Sequence, residues 1–235
     1  MARYYRISFL CLCLVMFFSG SIWAQGNEVL PKGEFASWHY KIGLDERFRY
    51  EYRRDFDFSK SLKDDGGLFF NRVRINAKAS LKDEYLNDIL EIFAEGLDAQ
   101  VGGYRINALE SQKDNFDFHQ GYMKIYDIAG MPFEASLGRQ ELKYGKGRLI
   151  AAPTWANRIR SFDAAVLHFV PAGSYADVFY AQDVKYDDLD PNRSSDEEFL
   201  AGFYGGYGKN KVITLIESYF LAQVIKSGSS DIERY

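Results

Sequence analysis

Apolar and polar residues alternate along most of this chain, and that period is its strongest structural constraint. In "KIGLDERFRYEYR" the residues Ile42, Leu44, Phe48, Tyr50 and Tyr52 share one face, while Lys41, Asp45, Arg47, Arg49, Glu51 and Arg53 share the other. In "NRVRINAKASL" Val73, Ile75, Ala77, Ala79 and Leu81 oppose Arg72, Arg74, Asn76, Lys78 and Ser80. Successive side chains of a strand point to opposite faces, so a period of two predicts strands with one apolar and one polar face. The same reading places further strands at 88–99, 117–127, 133–143, 159–169, 174–185, 197–208 and 211–225, about nine in all. One segment stays open: in "YLNDILEIFAEGL" Leu86, Ile89, Leu90 and Phe93 also fit a helical face.

The connections carry a second signal. Long polar ones fall near 54–66, 100–116, 144–158 and 186–196. Short ones alternate with them: "KDEYLN", the turn at Met131–Pro132, "PAGS" at 171–174 and "GKNK" at 208–211. Short turns at one end of the strands and long loops at the other mark a transmembrane β-barrel. Strands of about ten residues also suit a tilted bilayer crossing. Aromatic residues gather at the strand ends, among them Trp38, Tyr40, Tyr50, Tyr52, Phe69, Phe70, Tyr122, Tyr126, Tyr204 and Tyr207. Interfacial girdles do this in barrels, whereas a soluble sheet keeps its large residues nearer mid-strand.

The first residues address location. Arg3 and Arg6 precede the apolar run "ISFLCLCLVMFF", and "SGSIWA" follows. That layout is a secretory signal peptide over 1–24, cleaved after Ala24, which leaves 25–235 as the barrel portion. Cleavage removes Cys11 and Cys13, the two cysteines of the chain. It also leaves 27 basic against 33 acidic residues, an acidic balance that argues against nucleic acid as a partner.

Against that acidic background, "GRQELKYGKGRLIAAPTWANRIRSFDAA" gathers Arg139, Arg148, Arg158 and Arg160, with Asp163 among them. Cations on the inward face of a narrow tube focus positive potential and concentrate anions. Arg47, Arg49 and Arg53 on one strand and Arg72, Arg74 and Lys78 on the next would form such a cationic path. Guanidinium forks bind carboxylates in bidentate fashion. Catalysis finds little support. His39, His119 and His168 show no metal-ligand spacing, and no Gly-x-Ser-x-Gly elbow is present, so neither an enzyme nor a cofactor is expected. Asp64–Asp65 and Asp187–Asp188 read as solvated loop charge.

These residues resemble the alginate export family of Gram-negative outer-membrane proteins. The matching positions are Gly138-Arg139-Gln140, Tyr144-Gly145, Gly147-Arg148, Trp155, Asn157, Arg160 and Phe162-Asp163, with Gln120-Gly121-Tyr122 and the alternating strands upstream. The resemblance implies an outer-membrane barrel of about eighteen strands whose electropositive lumen passes an anionic polysaccharide. Its partners would be outer-membrane lipid, that polymer or small anions, and periplasmic export proteins. About nine strands are half of such a barrel, so the chain is expected to be an N-terminal portion, as a fragment or as a truncated product. Two other readings stand beside this one. One is a general anion-preferring porin. The other is a secreted β-sheet carbohydrate-binding protein.

Overall fold

The computed structural model describes residues 18–26, 36–53, 65–104, 112–148, 150–171, 174–186, 190–207 and 216–225. They form one ten-stranded antiparallel sheet in which every strand pairs with its neighbours in the chain. The strands are β1 (Phe18–Gly26), β2 (Ala36–Arg53), β3 (Gly66–Asp83), β4 (Asp88–Tyr104), β5 (Asp114–Ile125), β6 (Phe133–Gln140), β7 (Phe162–Phe169), β8 (Ser174–Lys185), β9 (Arg193–Tyr207) and β10 (Ile216–Ile225). The fold is all-β, and among the described residues the sheet is open, with β1 and β10 at its edges.

The segment that also fitted a helix is strand β4. Glu91, Glu95 and Leu97 alternate as buried residues with Ile92 and Ala94 as exposed ones, a pattern of period two. Asp83 closes the turn before it, its carboxylate accepting from the backbone N–H groups of Tyr85 and Asn87 at 2.9 and 2.8 Å.

β1 was not among the expected strands. It pairs with β2 from Phe18↔Phe48 to Gly26↔Tyr40. Cleavage after Ala24 would remove residues 18–24 and leave β2 as the first strand, entered from the short-turn end. The expected turn at 208–211, the first residues of the last expected strand, Asp64 and Asp187–Asp188 lie outside the described residues.

One face of the sheet is apolar and exposed. Ile42, Leu44, Phe48 and Tyr52 of β2 continue across the sheet into Ile75, Ile92, Leu137, Leu167, Val178 and Phe203. Glu46 interrupts this face, half-buried opposite Val73. Aromatic pairs band its two ends. The Tyr50 and Phe69 rings meet at a tilt, 4.6 Å apart, at the long-loop end, and those of Phe133 and Phe169 likewise, 4.7 Å apart, at the short-turn end. Phe70, Tyr122, Tyr126 and Tyr204 do not join these bands. Phe70 and Tyr204 are buried on the other face, and Tyr122 and Tyr126 donate to Glu91 there. Their strand-end positions suggested a girdle, but side-chain parity decides the face.

The other face is the inner one. It is covered in part by the connection 141–161, which folds over it as a strap. The strap explains why β6 and β7 have only 8 residues each, β6 ending before the expected 143 and β7 starting after the expected 159. The strap's Leu142 and Ile150 pack with Phe162, Ala164, Val166, Phe179 and Ala181 of the wall in one buried cluster. Burying such side chains contributes about 1.5–3 kcal/mol each, which holds the strap against β7 and β8.

Candidate functional site

Register builds the site. β2 and β3 place Arg47 opposite Arg72, Asp45 opposite Arg74 and Lys41 opposite Lys78. Like charges directly opposite each other are destabilising, so each of these cations needs an acceptor. The structure supplies two different kinds.

Three arginines are capped by the strap's backbone. Arg47 donates to the carbonyls of Thr154 and Ala156 at 2.8 and 2.9 Å. Arg72 donates to the same two carbonyls at 2.9 Å each. Arg49 donates to the Trp155 carbonyl at 2.5 Å and lies over the Phe70 ring at 4.2 Å. Asp45 stands 3.6 Å from Arg72, and Glu51 bridges Arg49 and Arg53 at 3.0 Å each. Asn157, buried behind this tip, donates to the carbonyls of Asn71, Gln100 and Gln112.

The next cations down the wall meet carboxylates. Arg74 lies 2.7 Å from both Glu95 and Glu141. Gln120 donates to Glu95 at 3.1 Å and accepts from the Glu141 backbone N–H at 3.1 Å. Lys78 pairs with Glu91. His119 joins through a bulge: Glu95 pairs with Gln120 and Gly96 with Phe118, so His119 is the extra residue. A bulge re-aims a side chain, and here His119 and Gln120 both point inward. His119 Nε2 is 3.1 Å from Glu141. Glu95, His119 and Glu141 have the donor types of a metal site, with ligand atoms within 4.8 Å. Arg74 stands between the two carboxylates, however, so the set fits an ion network rather than a cation site.

Arg148, Arg158 and Arg160 gather elsewhere. With Lys185, Asp183 and Tyr186 they line a cavity of about 670 Å³. Arg160 pairs with Asp183 at 2.7 Å, and Arg158 lies over the Tyr186 ring at 4.5 Å. Arg148 forms no ion pair among the described residues, and it also lines a second cavity of about 370 Å³ with Tyr144, Lys146, Tyr204 and Glu217. Tyr186 donates to the Ile159 carbonyl at 2.7 Å and accepts from the Ser161 N–H at 2.9 Å. Burial pushes its hydroxyl up to about 12, so it remains a donor that clamps the end of the strap.

Arg139 and Asp163 sit apart from this inner set. They pair at 2.8 Å across β6 and β7, on the alternating positions shared with the exposed Leu137, Ala165 and Leu167. Arg139 also donates to the carbonyls of Phe118 and Asn192 at 3.1 and 3.0 Å. Sequence reasoning grouped them with the cationic path because they stand in the same Arg-rich stretch. Strand parity places them on the apolar face, at its loop end.

A single antiparallel meander with an exposed apolar face, aromatic bands at both ends and a polar inner face is the wall of a membrane β-barrel. The alginate export family matches residues 39–228, and the chain belongs to that family. It is a family of outer-membrane β-barrels that act in polysaccharide transport rather than catalysis. No curated protein and no solved structure gives a significant match.

Proposed function

We propose that this chain forms part of an outer-membrane channel that conducts an anionic polysaccharide of the alginate type, reached after cleavage of a signal peptide over 1–24. The observation that carries this reading is the inner face. Arg47, Arg49, Arg53, Arg72, Arg74 and Lys78 stand on adjacent strands of one wall, and Arg148, Arg158 and Arg160 surround the cavity beside the strap. Field focusing in such a tube raises the local concentration of polyanions. Asp45, Glu51, Glu91 and Glu95 offset part of the charge, and a channel needs binding weak enough for each unit to leave. Arg139 and Asp163 act at the outer rim, where their pair ties β6 to β7. Outer-membrane lipid covers the apolar face, and periplasmic export proteins would deliver the polymer at the short-turn end.

Planar-bilayer recording of the detergent-extracted protein tests this. Anion selectivity together with a change in current on addition of a soluble polyuronate is the expected result. Anion selectivity with indifference to the polymer would make it a general porin. A protein that is soluble without detergent would overturn the channel reading in favour of a secreted carbohydrate-binding sheet.

A further inference from the structure

We infer that the strap tip, Pro153–Ala156, is a gate that occupies the polymer's own binding place, so that the anionic chain opens its channel by displacing it. The inference rests on the channel reading above. Its basis is the chemistry of the acceptors. Five hydrogen bonds from Arg47, Arg49 and Arg72 end on the carbonyls of three successive residues, Thr154, Trp155 and Ala156. These are neutral acceptors for permanent cations. A carboxylate brings a full negative charge and takes two parallel N–H groups at once, where a peptide carbonyl brings only a dipole, so it outcompetes the carbonyl for the same fork.

The arginines also have donors to spare. Arg47 Nε and Arg72 Nε are buried and make no hydrogen bond. A bidentate carboxylate engages Nε and one Nη together, which the carbonyls as arranged do not do. Leaving a buried donor unmade is costly, so exchange of carbonyl for carboxylate improves the site.

The tip can move without unpacking the strap. Thr154 and Trp155 are exposed, Trp155 at 71%. Ala152, Asn157 and Ile159 flank them and are buried. Hydrogen bonds to the three arginines therefore hold the tip, while burial holds its two roots. Displacing it costs little apolar contact and exposes the guanidinium cluster to the lumen.

The test uses the full-length protein purified from membranes, in planar bilayers, with a short oligouronate as probe. The wild type is expected to show a low resting conductance that rises several-fold with oligouronate. Arg47→Lys with Arg72→Lys keeps the charge but removes the forks. That variant is expected to be open at rest, still anion-selective, and insensitive to the oligomer. A second measurement leaves the wall intact: a fluorophore on Thr154→Cys is expected to change its emission when oligouronate is added. Oligouronate that blocks current without raising conductance, with no change at the Thr154 label, overturns the gate and leaves the channel reading standing. Oligouronate with no effect on current or label removes both.

Discussion

Two groups of arginine share β2 and β3 and are held in opposite ways. Arg74, with Lys78 beside it, is matched by carboxylates: Glu95, Glu141 and Glu91. Arg47, Arg49 and Arg72, two to four residues further toward the long loops, are matched mainly by peptide carbonyls of the strap. The first group is closed electrostatically and holds the wall together. The second is neutralised only in part, by Glu51 at Arg49 and Asp45 at Arg72, and takes most of its acceptors from the strap. A cation whose acceptors are mostly neutral is the one available to a ligand.

The comparison breaks most readily at Arg74. Arg74→Ala leaves Glu95, whose side chain is 3% exposed, without its countercharge. Removing one partner of a buried pair costs about 3–5 kcal/mol. Thermal unfolding of the protein in detergent, followed by the gel shift between heated and unheated samples, is expected to show a much lower midpoint. A midpoint equal to wild type would mean that the network contributes nothing.

Asn157→Ala removes hydrogen bonds to two wall carbonyls and to the Gln112 carbonyl just before β5, but no charge. Its expected cost is about 1–3 kcal/mol. The readout that separates it from Arg74→Ala is local: faster proteolysis within 150–160, with the unfolding midpoint changed less. Arg160→Ala sharpens the contrast from the other side. Its pair with Asp183 is 43% and 34% exposed, and such pairs contribute about 0–1 kcal/mol.

Arg148→Ala has the smallest expected effect on stability, within about 0.5 kcal/mol, since the residue makes no ion pair among the described residues. Its expected effect lies in selectivity. The reversal potential in a salt gradient shifts away from anions, and the difference from wild type shrinks as salt screens the lumen. An unchanged reversal potential would place Arg148 outside the conducting path.

Much of the wall was legible in the sequence. Alternation alone placed Arg47, Arg49, Arg53, Arg72, Arg74 and Lys78 on one face, because parity follows from spacing within a strand. The helix alternative for β4 failed because Glu91 and Glu95 have buried partners across the sheet, which spacing along one segment does not reveal. The strap was not legible. Its anchors are backbone carbonyls, which every residue carries, and their partners lie 82 to 109 residues away. His119 was hidden for a related reason, since a bulge is a mismatch between two strands and leaves no mark on either one. Arg139 and Asp163 show the limit of reading charge by neighbourhood, because composition gathers residues that parity then separates.

The strap has a mechanical consequence as well. Every strand pairs only with its chain neighbours, so nothing in the ladder itself fixes how tightly the sheet curls. The connection between β6 and β7 crosses the inner face and is fastened to β3 and β4 through the buried Asn157. It acts as a tie drawn along the chord of an arc. Its length sets the distance between strands that no hydrogen-bond ladder joins. Shortening it by a residue would tighten the curvature of the whole wall, and lengthening it would let the arc relax.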